Sequence, residues 1–228
     1  MSKNIEMLTV VANGLGEMKN EVVFVGGSVA ELYADDPASS DIRATIDVDC
    51  VIEISSRMRY NELEGRLRAK GFCNDITHGA PICRWVYKGV IVDVMPIDEN
   101  ILGFTNQWYK SGMEHKTISV LSENTEVFVF PTPYYLGTKF EAVLSRGGND
   151  LRISHDFEDI IYILDNVTNI VEQISNTEYP IKQYLTIQFA DLLRNPNIEE
   201  AIECALPYGA EERVNYIIDI LRYDYLQL

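Results

Sequence analysis

Two stretches with the apolar content of β-strands carry aspartates where strands least favour them. In "TIDVDCVIEI" (45–54) the apolar Ile46, Val48, Cys50 and Ile52 alternate with Asp47, Asp49, Val51 and Glu53. Side chains on a strand alternate faces, so Asp47 and Asp49 point the same way, roughly 7 Å apart. Like charges at that spacing repel unless a cation lies between them, and Asp is among the residues a strand tolerates least. The oddity recurs in "GVIVDVMPI" (89–97), where Asp93 interrupts Val90, Ile91, Val92, Val94 and Met95. Such a continuous apolar run is typical of a strand buried on both faces. A half-exposed edge strand accounts for one D-x-D, and a lone aspartate in the second run can cap a turn or pair with Arg84 on a hairpin partner. Three carboxylates on adjacent strands also form a cage of hard oxygen donors suited to Mg²⁺, which keeps waters and substrate phosphates in its shell.

A third stretch bears on that choice. In "FVGGSVAELY" (24–33) an apolar run ends on Gly26, Gly27 and Ser28 and passes into a helix-like pattern. Glycines there let the backbone turn tightly or approach a ligand closely. A helix N-terminus just after them would offer free N–H groups to a phosphate. Taken alone, the stretch reads as a plain strand-to-helix turn. Taken with the aspartates, the turn would hold a triphosphate while the carboxylates hold one metal ion, or two about 3.5–4 Å apart.

The rest of the chain supplies a frame. Apolar positions predict a helix over 4–19, a strand over 21–25, a loop over 35–43 and a helix over 55–72 with a serine cap and Gly71 as its stop. A hairpin is expected from 81–87 and 90–97 across Lys88–Gly89, then a strand over 126–131 and a helix over 132–146. Beyond about residue 150 the pattern is helical, ending in an amphipathic stretch at 211–226. A mixed first half and a helical second half make an α+β chain, with the seam near Pro131–Pro133.

Composition narrows the partners. The chain of 228 residues is 46% hydrophobic, enough for a full core without disulfides or metals to hold it. No apolar run is long enough to span a membrane, and the start lacks a signal peptide's apolar core, so a cytoplasmic location is expected. Cys50, Cys73, Cys83 and Cys204 have no CxxC spacing and read as reduced, mostly buried thiols. A net charge of −16 argues against extended binding of nucleic acid, whose grip comes from Lys and Arg on phosphates.

With "VGGSVAEL", "TIDVD" and "VIVDVMP" in place, the chain resembles the nucleotidyltransferase superfamily with the DNA polymerase β-like fold, over roughly residues 20–160. The later "TKFEAVLSRGGNDLRISHDFEDI" is similar to the branch of AbiEii-type nucleotidyltransferase toxins, with Lys139, Ala142, Arg146–Gly147, Asp156 and Asp159 in step. His155 departs from that branch, which carries Lys before the Asp; a His there is more often a structural hydrogen-bonder than a base. The resemblance implies a mixed sheet with flanking helices as a catalytic core over 1–130, and a helical region over 131–228 completing the cleft. It also implies transfer of a nucleoside monophosphate from an NTP to an acceptor hydroxyl, releasing pyrophosphate.

By the same resemblance Asp47, Asp49 and Asp93 would ligate Mg²⁺, or Mn²⁺ in its place, with Asp93 also orienting and deprotonating the acceptor. Gly26, Gly27 and Ser28 would meet the phosphates, Lys139 would neutralise the triphosphate, and Asp156 would be the acidic residue of the second half. Lys139 and the acidic pair have plainer readings, Lys139 on a solvated helix face and Asp156 with Asp159 as an acidic helix N-terminus; Arg43 reads as a loop cation or as a residue that steers the triphosphate, and Trp85 and Trp108 as packing. Asp98, Asp41 and Asp35–Asp36 read as loop residues. The acceptor is left open between a small molecule, a protein and a tRNA end, and the toxin branch adds a cognate antitoxin as a candidate partner. Two other classes compete: a D-x-D glycosyltransferase, which the Gly-Gly-Ser turn and third in-strand Asp fit poorly, and a non-catalytic relative that binds a protein partner.

Overall fold

The alternation at 45–54 becomes the middle of a sheet. The computed structural model describes residues 2–35, 42–146 and 150–226. In order these form α1 (Lys3–Leu15), β1 (Val22–Val25), β2 (Asp47–Ile52), α2 (Arg57–Ala69), β3 (Cys73–Asn74), β4 (Arg84–Tyr87), β5 (Val90–Pro96), α3 (Glu99–Leu102), α4 (Tyr109–Glu114), β6 (Thr117–Ser122) and β7 (Thr125–Val129). Helices follow: α5 (Thr132–Arg146), α6 (His155–Asn166), α7 (Ile170–Ser175), α8 (Tyr179–Leu193), α9 (Ile198–Ala205) and α10 (Arg213–Arg222). The protein is α+β, with a mixed seven-stranded sheet in the order β3-β4-β5-β2-β1-β7-β6. It divides into two compact units, one of Met1–Val29 with Arg43–Pro131 and one of Ala30–Ile42 with Thr132–Leu228.

In the sheet unit, β2 pairs antiparallel with β1 and parallel with β5, while β4 and β5 form the expected hairpin. Lys88 and Gly89 both take positive φ (48° and 83°) at its turn, the backbone that two-residue hairpin loops require. One face of the central strands carries Phe24, Val48, Cys50, Trp85, Val92 and Val94, all buried. Burial of these side chains stabilises the sheet by roughly 1.5–3 kcal/mol for each large aliphatic or aromatic group. α1 packs against β2, β5, β6 and β7 through its apolar stripe of Leu8, Val11 and Leu15. Ser2 starts that helix by accepting from the Ile5 amide, and Ser56 caps α2 by accepting from Arg59.

The helical unit is built on α5 and α6. Tyr134, Tyr135, Leu136 and Phe140 on α5 are buried, as are Phe157, Ile160, Ile161, Ile163 and Leu164 on α6. Phe189 on α8 stands 5.7 Å from both Phe140 and Tyr225, ring centre to ring centre, joining three parts of that core. An early segment also belongs here: Tyr33 packs on Tyr135 at 4.8 Å, and the Asp35 carboxylate accepts from the Thr168 amide at 2.8 Å.

Several expectations are corrected. Residues 28–33 form no α-helix; a six-residue 3₁₀ segment, Gly27–Leu32, stands there. The helix expected over 4–19 stops at Leu15, because Gly16 leaves it at φ 53°, and a 3₁₀ segment, Gly16–Glu21, follows. β3, α3, α4 and β6 have no counterpart in the sequence reading. Of the four cysteines only Cys50 and Cys83 are buried; Cys73 and Cys204 are exposed. Asp36, Asp41 and Gly147 lie outside the described residues, as does most of the 35–43 loop.

Candidate functional site

Strand register brings the three in-strand aspartates together. Asp49 on β2 lies directly beside Asp93 on β5, and Asp47 stands two residues earlier on the same face. Neighbouring strands are roughly 4.8 Å apart, so the three carboxylates share one small area of the sheet. Arg84 on β4 is the register partner of Asp93 and Val25 on β1 that of Asp49, so both belong to this face too. The entry to β2 is held from a distance. Asn4 on α1, buried, donates to the Arg43 carbonyl (3.2 Å) and accepts from the Thr45 amide (2.9 Å). Thr45 in turn donates to the Asp47 carbonyl at 3.1 Å. Nothing local in the sequence marks Asn4, whose partners lie 39 and 41 residues away.

Arg84 is a cation set among these carboxylates. Its Nε and Nη2 donate to the two oxygens of Asp93 at 2.9 and 2.7 Å, a two-point grip, and Nη2 also stands 3.7 Å from Asp47 Oδ2. Hydrogen bonding to Asp93 holds the guanidinium well above its ordinary pKa, with the charges of Asp93 and Asp47 adding to it. Asp93 is buried, at 7% exposure, so an unpaired carboxylate there would carry a severe desolvation cost. The thiols nearby respond in the opposite sense. Burial, then the charges of Asp49 and Asp93, push Cys50 far up, and burial with Asp93 lifts Cys83 to about 11. Both are therefore neutral packing groups and not nucleophiles.

The glycine turn meets the same centre. Gly26 adopts φ 75°, and a Cβ built on it would lie 2.0 Å from Asp49 Oδ2. Only glycine lets the backbone leave β1 and pass so close to that carboxylate. Gly27 opens the 3₁₀ segment, and Ser28 is 1% exposed with a hydroxyl that has no hydrogen-bond partner among the described residues. A buried hydroxyl without a partner costs free energy of order 1–3 kcal/mol.

Lys139 and Asp156 belong to the helical unit and meet each other there. Lys139 is buried on α5, its Nζ 3.2 Å from Asp156 and 2.6 Å from Asp159 on α6. The solvated-face reading of Lys139 is thereby excluded. Asp156 also binds the exposed Arg146 at 3.1 Å. His155 is exposed and faces Glu158 at 3.3 Å, the hydrogen-bonding role the sequence favours for it. Trp85 and Trp108 are buried, as packing residues should be.

A cavity of about 550 Å³ opens at the far end of β2, lined by Ile52, Ile54, Arg59, Leu63 and Arg66 among others. It lies beyond the strand's C-terminal end, whereas Asp47 begins the strand, so it is a separate feature of the sheet unit. Among the described residues no three His, Cys, Asp or Glu side chains are gathered ready for a metal ion. At the aspartate centre the guanidinium of Arg84 stands between Asp93 and Asp47. Among the described residues no helix is long and apolar enough to cross a membrane. No family model matches the chain, and no curated protein matches it.

Proposed function

We propose that the aspartate face of the sheet is the active site of a Mg²⁺-dependent nucleotidyltransferase, which moves a nucleoside monophosphate from an NTP to an acceptor hydroxyl. The observation that carries this reading is the convergence of Asp49, Asp93 and Gly26, the glycine that opens the turn. A structural edge strand would not need a positive-φ glycine backed against a carboxylate, followed by a buried hydroxyl with no partner. The donor type suits the ion, carboxylates being hard ligands whose partly open shell accepts phosphate oxygens, once Arg84 releases an oxygen of Asp93. Bound there, Mg²⁺ would supply charge stabilisation at the α-phosphate and the leaving pyrophosphate.

The chain's own residues do the rest. Asp47 and Asp49 would hold the ion from β2, and Asp93 would accept the proton of the acceptor hydroxyl as its oxygen attacks the α-phosphorus. The bond from that phosphorus to the bridging oxygen breaks, and pyrophosphate leaves with the electron pair. The amides of Gly26 and Gly27 and the Ser28 hydroxyl donate to the phosphates. Most of the acceleration in such a transfer comes from positioning and electrostatics.

The test is calorimetric titration of each of the four NTPs in the presence of Mg²⁺, comparing the natural protein with Asp47→Ala/Asp49→Ala. Metal-dependent binding of at least one NTP is expected, and its loss in the double variant. If the natural protein binds none of the four, the reading fails, and a non-catalytic protein built around the Arg84–Asp93 ion pair takes its place.

A further inference from the structure

We propose that Arg84 is the resident counter-ion of the aspartate centre, and that its displacement couples metal binding to nucleotide binding. The inference rests on the nucleotidyltransferase reading and concerns how that site loads. Its basis is positional. A cation ligated by both Asp93 and Asp47 would sit roughly 2.0–2.1 Å from an oxygen of each. Nη2 of Arg84 already stands 2.7 Å from Asp93 and 3.7 Å from Asp47, so guanidinium and metal compete for one small region between the same carboxylates. Two cations cannot share it at such spacing without strong repulsion. For the ion to take Asp93, Arg84 must let go of at least one of its oxygens.

Letting go has a cost, and the cost depends on what else is bound. Arg84 is about three-quarters withdrawn from solvent, with 24% of its side chain exposed. A guanidinium released into such surroundings without an anion loses two charge-assisted hydrogen bonds and regains little hydration. An incoming triphosphate changes that balance, because two of its oxygens can accept the guanidinium's fork together, as a carboxylate's two oxygens do. Metal alone therefore binds against Arg84, and nucleotide alone finds the guanidinium occupied. Together each removes the other's penalty. Such positive coupling is reciprocal by thermodynamic necessity. It also keeps a cation against Asp93 and Asp47 whenever substrate is absent, in a protein of net charge −16.

The probe is Mn²⁺, whose free ion is counted by electron spin resonance, with and without a non-hydrolysable NTP analogue and after correction for the complex the two form in solution. The full-length natural protein, Arg84→Ala, Arg84→Gln and Asp49→Ala are compared, with circular dichroism and thermal melts confirming that each is folded. Without nucleotide, both Arg84 variants are expected to bind Mn²⁺ about tenfold tighter or better than the natural protein. The factor by which nucleotide strengthens Mn²⁺ binding should fall about tenfold in the same variants. Arg84→Gln keeps hydrogen-bond donors without the charge, so it separates competition between cations from simple loss of a side chain. If Mn²⁺ affinity is unchanged or weaker in both Arg84 variants while Asp49→Ala abolishes it, the coupling is refuted and the metal site stands. If Asp49→Ala leaves Mn²⁺ binding intact, the metal is elsewhere, and the nucleotidyltransferase reading falls together with the coupling.

Discussion

Gly26 is the residue on which the geometry of the centre depends most directly. Alanine there meets two separate penalties: a φ of 75° that an L side chain adopts only under strain, and a methyl 2.0 Å from Asp49 Oδ2. The carboxylate is the end of a side chain and can swing away, so the fold should survive while the ligand geometry does not. Gly26→Ala is expected to lower unfolding free energy by about 1–3 kcal/mol in urea titration and to abolish metal-dependent nucleotide binding. Retention of that binding would mean Asp49 has no part in it. At this scale the sequence was legible in proportion to how local the signal was. The period-2 spacing of Asp47 and Asp49 is fixed by the strand alone, and Asp93 stands out as a charge inside an apolar run. Arg84 was visible only as one alternative, because its meeting with Asp93 depends on hairpin register set by the Lys88–Gly89 turn. Asn4 was invisible, since its amide acts on a strand entry 39 residues away.

At the level of elements, the α5–α6 contact shows why pattern reading found the helix and left one face of it open. The apolar spacing over 132–146 marks α5 correctly to its last residue. A lysine on a helix is ordinarily solvated, however, and only the packing of α6 against it reveals that Lys139 is buried among carboxylates. Asp159 is 1% exposed, so removing the ammonium takes away a cation held 2.6 Å from a carboxylate in the interior. Lys139→Met is expected to cost about 3–5 kcal/mol of stability, read from chemical denaturation. Adding Asp159→Leu should recover much of that loss, because replacing a buried ion pair by apolar groups is often close to neutral. A loss below about 1 kcal/mol for the single change would show that the pair is not held in the interior. The elements that escaped sequence reading are short or depend on partners. β3 spans two residues, and β6 is recognisable as a strand only through its pairing with β7. The segment after Gly27 carries a helical pattern but winds as 3₁₀, a choice between close relatives that residue type does not settle.

For the whole molecule, the excess of 35 acidic over 19 basic side chains sets a field that every anionic ligand must cross. The proposed substrate is itself an anion, and it remains one with Mg²⁺ bound. Long-range repulsion slows such an encounter, and added salt screens it, the Debye length falling from roughly 30 Å at 0.01 M to about 8 Å at 0.15 M. Association of the metal–nucleotide complex should therefore quicken with ionic strength, by several-fold between about 10 and 150 mM NaCl in stopped-flow traces. The sign matters more than the size. Enzymes that draw anionic substrates in through a basic surface show the reverse, a rate falling as salt rises. Arg84, held by Asp93 and Asp47, adds little attraction at long range while that grip lasts. Its charge becomes useful to a phosphate only after close approach, which is also where the metal acts. A rate that falls with salt would show that local cations outweigh the net charge of −16, and would make an extended polyanion a credible acceptor. A rate that rises favours an acceptor that brings little negative charge of its own, such as a small molecule or a protein hydroxyl.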